Sequence, residues 1–186
     1  MHVLVFDSGV GGLSVVAELR VLMPDLYLRY VADDAFRPYG DSTDAALQQR
    51  LPDIWCARVG MARPDVVVLA CNTASTTALS QVRTVLDIPV IGVVPAVKPA
   101  VAKSTTKTIA VLGTPGTVAR KYVGKLIKDF AAGCQTVLHG STGLVRLAED
   151  KLRGETIDIE DICAEIMPLF LQKGGKNIDS VVLACT

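Results

Sequence analysis

Short unbroken apolar runs alternate along this chain with longer stretches of helical periodicity. His2 to Phe6, Leu26 to Val31, Val66 to Ala70 and Val90 to Val94 have strand length and carry almost no polar residue. Gly11 to Leu22 places Leu13, Val16, Ala17 and Leu19 at helical spacing, and Thr43 to Met61 and Thr76 to Leu86 are further predicted helices. Strands apolar on both faces belong to buried parallel sheets. Strand and helix in strict turn, with short joins, predict the α/β class. Asp33 to Ser42, rich in Pro, Gly and Asp, is a predicted loop. Pro95 and Pro99 interrupt the alternation and predict a hinge with a short helix before Lys107. The alternation then restarts. Strands are predicted over Thr108 to Leu112, Gln135 to His139 and Val181 to Ala184. Helices are predicted over Val118 to Phe130, Leu144 to Lys151 and Ile159 to Gln172.

The two halves echo each other. Asp65-Val66-Val67-Val68-Leu69-Ala70-Cys71-Asn72-Thr73 in the first is matched by Asp179-Ser180-Val181-Val182-Leu183-Ala184-Cys185-Thr186 in the second. The opening strands also correspond: one leads into Asp7-Ser8-Gly9, the other into Gly113-Thr114-Pro115-Gly116-Thr117. The expected fold is two similar α/β domains, 1–95 and 96–186. Each has a parallel sheet flanked by helices, the second is incomplete, and the active site lies in the cleft between them.

Composition narrows the function. Nineteen basic residues balance nineteen acidic ones with no basic stripe, which disfavours nucleic acid as a partner. No secretory signal and no run of membrane-spanning length is seen, so a cytoplasmic protein without membrane contact is expected. Five cysteines, Cys56, Cys71, Cys134, Cys163 and Cys185, are an odd number without a CxxC pair, which argues against a disulfide framework or zinc ribbon. Cys56, Cys134 and Cys163 are expected to be buried, reduced core thiols. Asp33-Asp34 has no histidine nearby and reads as part of a solvated loop rather than a metal site. Gly9-Val10-Gly11-Gly12 follows a strand, but it matches neither nucleotide-binding glycine pattern.

Ligands of open α/β sheets bind beyond the carboxyl ends of the strands. Asp7-Ser8, Cys71-Asn72-Thr73, Thr114 with Thr117, and Cys185-Thr186 all fall at such ends. One cysteine from each half could address a carbon from opposite faces, one as thiolate taking a proton and the other as thiol giving one. A free thiol has a pKa of about 8.5, and a helix N-terminus is expected to lower it. The hydroxyls and amides of Ser8, Asn72, Thr73, Thr114, Thr117 and Thr186 are candidates for holding carboxylates. Asp7 is a candidate either for pairing with a substrate ammonium or for assisting proton transfer at Cys71.

Four motifs resemble the glutamate racemase family, within the wider aspartate/glutamate racemase superfamily. They are Phe6-Asp7-Ser8-Gly9-Val10-Gly11-Gly12-Leu13-Ser14-Val15, Pro38-Tyr39-Gly40, Ala70-Cys71-Asn72-Thr73-Ala74-Ser75, and Val94-Pro95-Ala96-Val97-Lys98-Pro99-Ala100. The resemblance implies cofactor-independent racemisation of glutamate, with no metal, supplying D-glutamate for peptidoglycan. It implies Cys71 acting on D-glutamate and Cys185 on L-glutamate, with Glu149 supporting the second cysteine's side. Asp7, Ser8, Pro38, Tyr39, Gly40, Asn72, Thr73 and Thr186 would contact substrate. A homodimer is compatible with it. The family continues Cys-Thr-His where this sequence ends at Thr186. The expectation is therefore a truncated second domain, and an isolated chain that is inactive and marginally stable. Two other readings are an inactive remnant or binding module of the same fold, and another racemase of the superfamily such as an aspartate racemase.

Overall fold

The computed structural model describes residues 1–186 and divides the chain into two compact units, Met1–Val94 together with Thr186, and Pro95–Cys185. In the first, strands β1 (His2–Asp7), β2 (Tyr27–Ala32), β3 (Val66–Leu69) and β4 (Val90–Gly92) form a wholly parallel sheet in the order β2-β1-β3-β4. Helix α1 (Leu13–Leu22) joins β1 to β2, α2 (Asp44–Ala62) joins β2 to β3, and α3 (Asn72–Val85) joins β3 to β4. Alternation along β1 sends Val3 and Val5 to one face, where Val15, Val16 and Leu19 of α1 cover them. Leu4 and Phe6 go to the other face, under Leu47, Leu51 and Trp55 of α2 and Ala74, Ala78 and Val82 of α3. Burial on both faces explains why these strands are apolar runs without polar alternation.

In the second unit, β5 (Thr108–Gly113), β6 (Gln135–Gly140) and β7 (Ser180–Leu183) form a parallel sheet in the order β6-β5-β7. Helices α4 (Val97–Lys103) and α6 (Lys121–Phe130) cover one face, through Val97, Ala100 and Val123 against Ile109, Val111 and Val182. Leu169 of α8 (Ile159–Leu171) packs on Ala110 and Val137 at the other face. Two shorter helices, α5 (Pro115–Val118) and α7 (Gly143–Leu152), follow β5 and β6. No helix is long and apolar enough to cross a membrane.

Three elements differ from the periodicity-based expectation. Helix α3 begins at Asn72 instead of Thr76, because its polar first turn is held by side chains: the Ala74 N–H donates to Cys71 Sγ at 3.4 Å and Thr76 Oγ1 donates to the Asn72 carbonyl at 2.9 Å. The helix predicted from Val118 is broken, since Arg120 is extended and caps a new helix at Lys121. The Asp33–Ser42 loop contains two single turns of 3₁₀ helix, Asp34–Phe36 and Tyr39–Asp41.

Candidate functional site

Both sheets reverse winding direction next to their central strand, and that reversal opens a crevice at the carboxyl ends of the two strands involved. In the first unit these are β1 and β3, which end at Asp7 and just before Cys71. In the second they are β5 and β7, which lead to Thr114 and Cys185. The register is the same in each: the Ala70 N–H donates to the Phe6 carbonyl at 2.8 Å, and the Ala184 N–H to the Leu112 carbonyl at 2.7 Å. Cys71 and Cys185 therefore occupy equivalent places in their own units, one residue beyond that bond.

The first unit gathers most of the sequence-predicted residues. Cys71 is buried at the N-cap of α3, and Ser8 Oγ lies 3.6 Å from its sulfur. Asp7 is buried; its Oδ1 accepts from the Gly9 N–H at 2.7 Å and its Oδ2 from the Thr186 hydroxyl at 3.1 Å. The glycine loop folds over this carboxylate. A methyl at Gly12 would stand 2.9 Å from each of Ala70 Cβ, Asp7 Cβ and Tyr30 Oη, so only glycine allows the approach. Tyr30, on β2, donates its hydroxyl to the Gly9 carbonyl at 2.8 Å. Asn72 and Thr73 are buried in the first turn of α3, and Asn72 Oδ1 has no protein partner. The Tyr39–Asp41 turn packs on α3; Tyr39 is buried in the same core cluster as Cys71, with Pro38 before it and Gly40 after.

In the second unit, Thr114 and Thr117 are buried and largely satisfy each other. Thr114 Oγ1 donates to Thr117 Oγ1 at 2.9 Å and accepts from the Thr117 N–H at 3.2 Å, capping α5. Glu149 is half-buried on α7, and Cys185 is exposed. His139 is tied by Nε2 to the Glu165 carbonyl at 2.8 Å.

Three expectations need correction. Cys56 and Cys163 are exposed and Cys134 is half-buried, because Cys56 and Cys163 fall on outward helix faces. Asp33 is not solvated: it is buried, with the Arg50 guanidinium on both its oxygens, and that pairing holds its carboxyl below the usual range. The Cys71 thiol is pushed up rather than down. Burial is the main cause and the Asp7 charge adds to it; the Ala74 N–H and Ser8 oppose them without prevailing. Burial also raises the Asp7 carboxyl, against the Gly9 N–H and Thr186 hydrogen bonds. Two contributors had no motif to mark them, Tyr30 and Arg50. Tyr30 sits in an ordinary strand pattern, and Arg50 lies on a helix seventeen residues from its partner.

The pH dependence follows from these directions. Alkylation of Cys71 by iodoacetamide, read by peptide mapping so that Cys56 and Cys163 do not interfere, should have its midpoint above the free-thiol value of about 8.5. Replacing Asp7 with Asn removes a negative charge that disfavours the thiolate, so the midpoint should move to lower pH. An unchanged or higher midpoint in Asp7→Asn would contradict this account.

Comparison with known proteins adds a second line. A model of the Asp/Glu/Hydantoin racemase family matches residues 14–186. The glutamate racemase of Brucella ovis is 46% identical over 185 residues, covering 99% of this chain and 67% of that protein. The crystal structure of Escherichia coli glutamate racemase with L-glutamate and the activator UDP-MurNAc-ala superposes with a TM-score of 0.92 at 43% identity, covering 99% of this chain and 68% of that one. The Aquifex pyrophilus glutamate racemase gives 0.78 at 30% identity, covering 100% and 71%. The chain thus spans about two thirds of the length of the curated relatives it matches.

Proposed function

The chain belongs to the Asp/Glu/Hydantoin racemase family, among the glutamate racemases, and on that premise we propose that, in a protein of the relatives' full length, it interconverts L- and D-glutamate with Cys71 and Cys185 as paired proton carriers. Inversion at carbon needs a proton acceptor on one face and a proton donor on the other. One cysteine, as thiolate, removes the α-proton; the other, as thiol, delivers one; the reverse turnover restores both. Proton count and charge balance over the cycle, so no electron acceptor is needed and no cofactor is expected. The observation that carries the reading is the equivalent placement of Cys71 and Cys185 beyond the strand beside the central strand of each sheet.

Most of the remaining groups have a role in that scheme. Cys71 is assigned to D-glutamate and Cys185 to L-glutamate, following the family resemblance. Ser8, 3.6 Å from the sulfur, and the Ala74 N–H stabilise the thiolate that burial disfavours. Asn72 and Thr73, in the first turn of a fourteen-residue helix, hold a substrate carboxylate where the backbone N–H groups and helix dipole favour negative charge. The same groups stabilise charge that builds on the α-carboxylate as the proton leaves. Asp7 and Thr186 serve as one hydrogen-bonded pair toward the substrate ammonium. Thr114, Thr117 and Glu149 serve the Cys185 side. The complex of the E. coli relative with L-glutamate supports glutamate as substrate, and D-glutamate for peptidoglycan is the product's expected use.

The test is conversion of each glutamate enantiomer by the full-length protein treated with a chelator and with hydroxylamine, followed by circular dichroism and, in D₂O, by deuterium at the α-carbon. Optical rotation should decay to zero from either side, with solvent deuterium in the inverted product. Activity that returns only on adding a metal or pyridoxal phosphate would overturn the mechanism. Faster conversion of aspartate would overturn the substrate, and glutamate binding without exchange would leave a binding module.

A further inference from the structure

Beside the proposed site lies a half-buried ion pair that the proton-transfer scheme does not use. Arg50, on α2, places Nε 2.6 Å from Asp33 Oδ2 and Nη2 2.6 Å from Asp33 Oδ1, a two-pronged contact. The same Asp33 Oδ2 accepts the Tyr39 hydroxyl at 2.6 Å. The Asp33 backbone N–H donates to the Asp7 carbonyl at 3.0 Å. Asp33 therefore grips the Tyr39 side chain with its carboxylate and the Asp7 peptide with its backbone. Phe36 completes the arrangement: the Arg50 guanidinium lies over its ring at 4.7 Å, and its edge meets Tyr39 with centroids 6.2 Å apart.

We propose that Arg50 is a positioning residue, which through Asp33 holds the Pro38-Tyr39-Gly40 turn against α3 and fixes the Asp7 peptide, so that the surroundings of Cys71 are set before substrate arrives. The proposal rests on the reading of Cys71 and Asp7 as site residues. Its physical basis is the fork. Two parallel charge-assisted hydrogen bonds fix the plane of the carboxylate, and a fixed carboxylate fixes the direction of the phenol that donates to it. A single point charge does not fix that plane. The Tyr39 ring is packed in the core and its hydroxyl donates to Asp33. Arg50 itself is one third exposed.

The test uses Arg50→Gln, Arg50→Lys, Tyr39→Phe and the Arg50→Gln/Tyr39→Phe double variant. Arg50→Gln should raise KM for both enantiomers about tenfold while kcat stays within about threefold, a displacement of binding groups rather than loss of a reacting one. Arg50→Lys should not restore KM, because the ammonium lacks the fork. The double variant should be no worse than the poorer single one, because both break the same chain of contacts. A substrate-independent reading comes from Cys71 alkylation, mapped by peptide, which should quicken about tenfold or more in Arg50→Gln. A variant that unfolds at lower temperature but keeps wild-type KM and wild-type Cys71 alkylation would show a merely structural pair and overturn the proposal. So would full rescue by Lys. If the wild-type protein leaves glutamate unchanged, the substrate reading fails, and the alkylation rates still decide the positioning role.

Discussion

Cys71→Ser is expected to abolish racemisation, lowering the rate by about 10²- to 10⁴-fold, the range supplied by a positioned proton-transfer group. A serine hydroxyl is far less acidic than a thiol and cannot stand as the anion that takes the α-proton. The fold should not suffer. Position 71 is the N-cap of α3, where the sulfur now accepts the Ala74 N–H at 3.4 Å. Serine is a preferred N-cap residue, and its smaller oxygen suits that bond. Loss of activity with unchanged thermal unfolding therefore separates chemistry from structure. A partial reaction sharpens the test. Elimination from a glutamate carrying a β-leaving group needs only one base, so Cys71→Ser should lose it for the D-enantiomer and keep it for the L-enantiomer. Cys185→Ser should show the reverse. Racemisation by Cys71→Ser within about tenfold of wild type would sink the two-thiol mechanism.

The parallel α/β architecture was legible because both faces of each central strand are covered. Val3 to Phe6 and Ile109 to Val111 point residues alternately into two separate cores, so every position must be apolar and the run shows as unbroken. The repeat around the two cysteines was legible for a related reason, and even its leading aspartates share one duty. Asp65 Oδ2 accepts the His2 N–H at 2.7 Å at the start of β1; Asp179 Oδ2 accepts the Thr105 and Thr106 N–H groups at 2.7 and 2.8 Å just before β5. What pattern could not reveal depends on distance through space. Asp33 looked like a loop residue because its partner is Arg50, on the far side of a turn and a helix start. The true start of α3 was hidden because Asn72, Thr73, Ser75 and Thr76 have no apolar period, and side-chain bonds hold that turn. The direction of the Cys71 shift was hidden too. A helix N-terminus can be read from sequence, but the burial that outweighs it cannot.

Trp55→Ala is expected to cost about 3–5 kcal/mol of unfolding free energy, the range for emptying a buried aromatic site. The side chain is fully buried in the core cluster that also holds Tyr39 and Cys71, and Phe6 meets it at 4.6 Å between ring centroids. Small domains are stable by only about 5–15 kcal/mol in total, so the loss should bring the first unit close to its unfolding midpoint at ordinary temperature. Trp55→Phe should behave quite differently. The indole Nε1 is buried without a hydrogen-bond acceptor, an arrangement that costs about 1–3 kcal/mol. Phenylalanine removes that donor, and the relief offsets the smaller ring's lost contacts and the void it leaves, so the net change should stay within about 1 kcal/mol. Trp55 is the only tryptophan in the chain, so both variants lose their fluorescence signal, and urea unfolding must be followed by far-ultraviolet circular dichroism. If Phe costs as much as Ala, the indole N–H has an acceptor after all, and its lone burial is not a source of strain. If Ala costs less than about 1 kcal/mol, the core around Cys71 collapses to fill the void, and the site is softer than its packing implies.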